Sequence, residues 1–193
     1  MIEDAHTLLP LLTHAAESYK CAADCRILLK DDFKAAVNLN DAALQYIKDG
    51  DSASYAIHMK RAVELSLNAG NFNRAAVLCK SLAEYYEKTT CDLTEALVYY
   101  EKTAEYYEGS SSSRTKALLS VAQLSSQLEQ YDRAIELYES IAAASLDSIV
   151  KCLLRTIFFK AGICRLCNGD TVAACRAIDN YLVTYPTFAS ARE

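Results

Sequence analysis

The sequence has little proline and glycine, with 2 and 5 residues among 193, and it has no tryptophan. Because helix-breaking residues are scarce and no stretch alternates apolar with polar residues, the composition argues against a β-rich or disordered chain. No apolar run reaches the roughly 20 residues that a membrane-spanning helix requires. Apolar residues nevertheless make up 52% of the chain, which predicts a packed all-α protein.

Motifs for catalysis are also missing. The sequence has no glycine-rich phosphate loop, no nucleophile triad and no evident pair of catalytic carboxylates. His6, His14 and His58 have no evident acid or nucleophile as a partner. We therefore expect neither an enzyme nor a bound cofactor.

The charge is unevenly distributed. A net charge of −5 argues against a general nucleic-acid binder. Residues 109–193 hold 9 basic and 8 acidic side chains, whereas the residues before them are acidic overall. An anionic partner is therefore expected to prefer the C-terminal half.

The N-terminus carries Glu3, Asp4 and His6 where a secretory signal would have lysine or arginine. This predicts a cytoplasmic protein, in which cysteines stay reduced.

Eight cysteines are present, and most lie within helical patterns. Cys164 and Cys167 share one face of a predicted helix, but a closed zinc site needs four ligands and no histidine follows His58. We therefore expect free, buried thiols and no metal. The cysteines within helical patterns are Cys21, Cys25, Cys79, Cys152, Cys164, Cys167 and Cys175.

An aromatic residue followed three positions later by alanine recurs along the chain, as in Tyr131 and Ala134. The small residue lets a neighbouring helix approach closely, and the step is typical of tetratricopeptide-like helical hairpins. Including weaker forms, the step starts at positions 33, 53, 72, 93, 114, 131 and 171. This spacing predicts a tetratricopeptide-like right-handed solenoid, a twisted sheet of about nine antiparallel helices in one domain, 1–193.

Several residues mark the expected helix ends. Asn71 and Asp92 are expected to cap the fourth and fifth helices, the latter as a capping box with Glu95. Pro10 is expected to break the first turn of the first helix. The residues after Pro186 look like the start of a tenth helix, and the first helix is apolar on more than one face, so we expect a domain truncated at both ends. Further expected caps are Ser113, Asp147 or Ser148, and Asp170.

Adjacent tyrosines lie on successive predicted helices, at positions 85–86, 99–100 and 106–107. We expect each pair to place one ring between helices and the other at the wet edge, without forming a ligand cage.

The eighth predicted helix has no acidic residue between positions 147 and 170. At about 100° per residue, Lys151, Arg155 and Arg165 lie within about 80° of one another, and Lys160 lies opposite. Such a stripe either attracts an anionic surface or is a solvated helix face.

A set of short runs follows a distinctive order along the chain. In this order they resemble the SNAP family, the soluble adaptors that couple the AAA ATPase NSF to SNARE complexes, and they look most like its alpha-SNAP branch. The resemblance covers nearly the whole chain. The runs are Ala62-Val-Glu-Leu65, Ala83-Glu-Tyr-Tyr-Glu87, Glu95-Ala-Leu-Val-Tyr-Tyr-Glu101, Ala104-Glu-Tyr-Tyr-Glu-Gly109, Gln127-Leu-Glu-Gln-Tyr-Asp-Arg-Ala-Ile-Glu-Leu-Tyr-Glu139, Leu146-Asp-Ser148, Phe158-Phe-Lys-Ala161 and Tyr185-Pro-Thr-Phe-Ala-Ser-Ala-Arg-Glu193.

The resemblance implies an adaptor in vesicle-mediated transport. Such a protein would bind four-helix SNARE bundles of the syntaxin type and link them to NSF for disassembly, with only peripheral association with membranes and no nucleic-acid partner. The family is longer at both ends. Its N-terminal membrane-contacting loop and its C-terminal bundle, which touches NSF, are expected to have no counterpart in these residues.

The resemblance also implies a basic SNARE-binding face. Lys116 and Arg155 match basic SNARE-contacting positions of the family, whereas three other positions lack the family's arginine or lysine, which predicts weaker binding. A diverged scaffold that binds other helical proteins is the alternative. The candidate cations are Lys116, Arg155, Lys151, Arg165 and Arg74, and the positions without a cation are Asn71, Val77 and Ser120.

Overall fold

The computed structural model describes residues 3–107, 109, 111–145 and 151–184. Over these residues the chain forms nine α-helices and one π-helical turn, Tyr86–Thr90, with no β-strand, which confirms the predicted all-α fold. None of the described helices is long and apolar enough to cross a membrane. The helices are α1 (Glu3–Leu28), α2 (Asp32–Lys48), α3 (Ser52–Asn68), α4 (Phe72–Tyr85), α5 (Leu93–Tyr106), α6 (Ser111–Gln127), α7 (Tyr131–Ser145), α8 (Lys151–Cys167) and α9 (Thr171–Thr184).

The chain divides into two compact units, Met1–Ser111 and Ser112–Glu193. In the first unit, each of the helices α1 to α4 packs against the next one along the chain. In the second unit, α7 packs on α8 and α8 on α9. One core cluster of that unit joins residues of α6, α7, α8 and α9.

The alanine of the predicted aromatic–alanine step lies in the core. Ala36, Ala75 and Ala134 have no exposed surface, so these positions permit the close approach of neighbouring helices that the pattern predicts. The aromatic partners Phe33 and Phe72 are instead 45% and 56% exposed, because they lie at the very start of their helices.

Most turns between helices share one design. The second residue after the helix has a positive φ, as at Gly50, Gly70 and Gly169, where glycine adopts this left-handed conformation without a Cβ clash. The next residue donates its N–H back into the helix, for example from Asn71 to the Ser66 carbonyl at 2.8 Å. The chain thereby reverses within a few residues.

The residue after the left-handed position caps the following helix. The side chains of Asp51 and Asn71 accept hydrogen bonds from the N–H groups of Ser54 and Arg74, at 3.0 and 3.1 Å. Asp92 and Asp170 likewise accept hydrogen bonds three residues on. The caps predicted at positions 71, 92 and 170 are confirmed. Asp147, Ser148 and Pro186 lie outside the described residues.

Three predicted helix boundaries were wrong. Ser113 is not a cap, because α6 already begins at Ser111. Pro10 does not break α1, which is continuous from Glu3 to Leu28; at the eighth residue of the helix it removes one backbone N–H donor, and the chain stays helical on both sides. The fourth helix, which the sequence predicts to run to about Lys88, ends at Tyr85, because the backbone widens there into the π-helical turn.

The tyrosine pairs follow the prediction in part. Tyr85 is buried and Tyr86 half-buried, as expected, but Tyr99 and Tyr100 are both buried. Burial of Tyr100 is tolerated because its hydroxyl donates to the carboxylate of Glu87 at 2.8 Å.

The prediction of buried cysteines was wrong for most positions. Among the seven cysteines that the structure describes, Cys79 and Cys164 are buried. Burial raises the pKa of the Cys79 thiol to about 12. Helical periodicity located the cysteines on helices, but it does not say which helix face a neighbour covers. The exposed thiols are Cys21, Cys25, Cys91, Cys167 and Cys175.

Candidate basic surface

The second unit concentrates basic residues on two of its helices. Together α6 and α8 carry six basic side chains and no acidic one, whereas α7 carries three acidic side chains and one arginine. The two basic helices lie side by side, since Lys160 Nζ donates to Gln123 Oε1 at 3.4 Å. They therefore form one basic layer of this unit.

The packing of α8 decides which of its residues face outward. Its buried positions recur at helical spacing and join the core cluster. The opposite side of the helix is left to solvent, including Arg155. The buried apolar side chains that the structure describes in α8 are Leu154, Ile157, Phe158, Ala161 and Cys164.

Two of the predicted site cations have exposed side chains. Lys116 lies on α6 and Arg155 on α8. Lys151 begins α8, one turn before Arg155. Lys116 and Arg155 therefore lie on the basic layer with their side chains open to solvent.

Arg165 is engaged within the unit. Its Nη2 lies 2.6 Å from Glu139 Oε1 on α7, and the Tyr181 hydroxyl of α9 donates to the same oxygen. The hydrogen bond to Glu139 raises the pKa of the Arg165 guanidinium further above its usual value. An anionic partner would have to compete with Glu139 for this charge.

Arg74 lies in the first unit, apart from the other four candidates along the chain. Its guanidinium carbon is 5.9 Å from the ring centroid of Phe33, within the range of a cation–π contact. Asn71, one of the three positions predicted to lack a cation, caps α4 through its side-chain oxygen. Val77 is 50% exposed on the same helix.

Sequence reasoning missed an apolar feature of the basic layer. Phe159, Ile163 and Leu166 are exposed on α8, and a cleft of about 340 Å³ between α6 and α8 adjoins Ile163. Helical spacing places these residues on one side of α8, but it does not say which side a neighbouring helix covers.

In sequence, the chain is similar to proteins named as soluble NSF attachment proteins or vesicular-fusion proteins. A family model described as "Soluble NSF attachment protein, SNAP" matches residues 8–193. An alpha-soluble NSF attachment protein of Vitis vinifera is 35% identical over 187 residues, which cover 92% of this chain and 64% of that protein. Its Homo sapiens counterpart is 35% identical over 182 residues, covering 93% and 61%. A probable vesicular-fusion protein sec17 homolog of Schizosaccharomyces pombe is 31% identical, covering 93% and 63%.

Solved structures share the fold. A kinesin light chain with nearly identical TPR-like repeats from Podosopora anserina superimposes with a TM-score of 0.59 at 13% identity, covering 100% of this chain and 97% of that one. The protein BtubC from P. vanneervenii gives a TM-score of 0.55 at 18% identity, covering 100% and 89%. These likenesses show the tetratricopeptide-like fold and nothing of function.

The chain spans less than two thirds of the length of the relatives named above. The match to the family model nevertheless covers nearly all of its 193 residues. The chain belongs to the family of soluble NSF attachment proteins.

Proposed function

We propose that this chain acts as the SNARE-binding part of an adaptor in vesicle-mediated transport. It binds acidic four-helix SNARE bundles of the syntaxin type, and the adaptor links them to the ATPase NSF for disassembly in the membrane fusion cycle. It works in the cytoplasm, peripheral to membranes. The supporting observation is the basic layer of α6 and α8, with six basic and no acidic side chains.

A layer of this kind suits a large anionic partner. A single exposed ion pair contributes little, roughly 0–1 kcal/mol, because water and salt screen it. Several exposed cations on one surface, such as Lys116 and Arg155, act together, however, and they raise the association rate with an acidic surface. Binding should therefore depend strongly on ionic strength.

Charge in the first unit contributes less to this contact. Asn71 is committed to capping α4, and Val77 is apolar. Lys80 on the same helix lies 3.6 Å from the carboxylate of Glu84. The proposed SNARE contact is therefore centred on the second unit.

Charge reversal tests the proposal. The double variant Lys116→Glu with Arg155→Glu should weaken binding to an assembled SNARE bundle at least about ten-fold at low ionic strength, and less at high salt, where charges are screened. The matched control reverses Arg61 and Arg176, which are exposed on α3 and α9 outside the basic layer. Fluorescence anisotropy with a labelled bundle measures both. Equal affinities of the two double variants would refute the basic layer as the contact.

The second candidate function is a diverged scaffold for other helical proteins. The absence of cations at Asn71, Val77 and Ser120 favours it. If the wild-type chain fails to bind an assembled SNARE bundle even at low ionic strength, this alternative replaces the first.

A further inference from the structure

The basic layer also presents an apolar ridge. Phe159, Ile163 and Leu166 on α8 are 36%, 42% and 52% exposed. Their spacing of four and three residues places them on one face of the helix, opposite the buried stripe. We call these three side chains the α8 ridge. An apolar stripe left exposed beside a complete core indicates a contact with another molecule.

The ridge borders a concave space. The cleft of about 340 Å³ lies between α6 and α8, and it is lined by Ile163 of the ridge and by Tyr131 and Tyr138 of α7. Gln123 and Lys160 also line it and hydrogen-bond to each other. Ridge and cleft together form a groove that apolar side chains can enter.

Charge restricts what can occupy this groove. Arg155 lies one turn before Phe159 on the exposed side of α8, and Lys160 stands beside the cleft. Neither α6 nor α8 contains an acidic residue. A partner with carboxylates flanking an apolar stripe would match this surface, whereas a basic segment would be repelled.

We propose that the α8 ridge and its cleft dock one acidic amphipathic helix of a partner protein. The stretch from Arg155 to Leu166 is about 16 Å long, which matches about three turns of a docked helix. Apolar side chains of the partner cover the ridge, and its carboxylates pair with Arg155 and Lys160. The inference rests on the proposed function, since the docked helix belongs to an acidic helical partner. It adds an apolar contribution to the binding free energy, which salt does not screen.

The test uses a designed probe with a matched variant of the protein. The probe is a fluorescein-labelled peptide of about 18 residues with leucine on one helical face and glutamate elsewhere. Replacing Ile163 and Leu166 by serine should weaken its binding at least about five-fold at both low and high salt, because the lost contribution is apolar. The control replaces Ile57 and Val98, which are 63% and 41% exposed in the first unit, and it should bind like the wild type.

Several outcomes would overturn the proposal. The first is equal binding of the probe by the ridge variant and the wild type, with circular dichroism showing that both are folded. The second is equal binding of a peptide in which the leucines are replaced by serine. The third is self-association of the wild type that the ridge variant loses, since a second copy then covers the ridge. The fourth is ridge-dependent binding to phosphatidylserine vesicles in place of the peptide.

Failure of the proposed function would look different. If the assembled SNARE bundle does not bind the wild type while the peptide binds in a ridge-dependent way, the docking groove stands and the SNARE assignment falls. If the bundle binds through Lys116 and Arg155 while ridge substitutions leave peptide binding unchanged, the groove proposal falls alone.

Discussion

Arg165 on α8 and Glu139 on α7 form an ion pair, with 2.6 Å between Nη2 and Oε1, and the Tyr181 hydroxyl donates to the same carboxylate oxygen. One acceptor thus joins three helices of the second unit. Phe158 stacks on the Tyr181 ring, with 4.5 Å between ring centroids. Together these contacts fix α9 against the rest of its unit.

Removal of Glu139 should destabilise the second unit. Glu139→Ala leaves Arg165 and Tyr181 without their shared acceptor, and it should lower the free energy of unfolding by about 1–2 kcal/mol, since the site is partly solvated. Urea unfolding followed by circular dichroism measures the change. Glu136→Ala, an exposed position on the same helix, is the control and should change the free energy by less than about 0.5 kcal/mol. Equal effects would show that the three-helix contact contributes nothing to stability.

Stability should fall at alkaline pH. Burial, and then the hydrogen bond to Glu139, raises the pKa of Tyr181 to about 12, and burial raises that of Tyr55 to about 12, from 10.0. The folded state therefore holds these protons more tightly than the unfolded chain. The stabilisation is complete below about pH 10, where both states are protonated, and it is lost as the pH rises toward about 12. Urea unfolding across this range measures it. Tyr181→Phe should make the loss less steep, and an unchanged slope would contradict the assignment.

Two helix ends should gain stability from glycine. Lys30 and Glu129 have φ values of 57° and 59°, the left-handed region that side chains disfavour. Replacing either by glycine should raise the free energy of unfolding by about 0.5–1 kcal/mol. Gly70→Ala, at an equivalent turn with φ of 69°, should lower it by a similar amount. The control Glu64→Gly within α3 should also lower it, because glycine disfavours helix. A loss of stability in both Lys30→Gly and Glu129→Gly would contradict the prediction.

Cations can be introduced, without loss of stability, at two of the three positions that are predicted to lack the family's arginine or lysine. Val77→Lys and Ser120→Lys replace side chains that cap no helix, and together they should raise affinity for an acidic SNARE bundle several-fold and steepen its salt dependence. Asn71→Lys removes the cap of α4 and should cost about 1 kcal/mol of stability. Anisotropy titrations and urea unfolding separate the two effects. If Asn71→Lys unfolds at the same urea concentration as the wild type, the cap contributes nothing to stability.

Sequence patterns predicted the helices well because the turn chemistry is local. Asn71, Asp92 and Asp170 are caps in the structure, as their position after a turn predicts. Glu129 adopts the same left-handed conformation although it is not glycine, so residue type does not predict the turn at this position. The π-helical turn after Tyr85 also has no signal in residue type.

The candidate site was less predictable, because it depends on which helix faces meet. Helical angles alone grouped Arg165 with Arg155, but Glu139 approaches Arg165 from a helix whose position the sequence does not give. The α8 ridge was indistinguishable from core residues for the same reason. Phe158 and Phe159 are adjacent and chemically identical, yet one is 5% and the other 36% exposed.

The packing of each helix of the first unit on the next one along the chain has a consequence for synthesis. Contacts that close short loops form quickly, because little chain entropy is lost. As the chain leaves the ribosome, α2 can pack on α1 before α3 emerges, and each later helix meets a surface already in place. Assembly of this unit can therefore keep pace with translation, and at each stage the exposed apolar face is that of the newest helix.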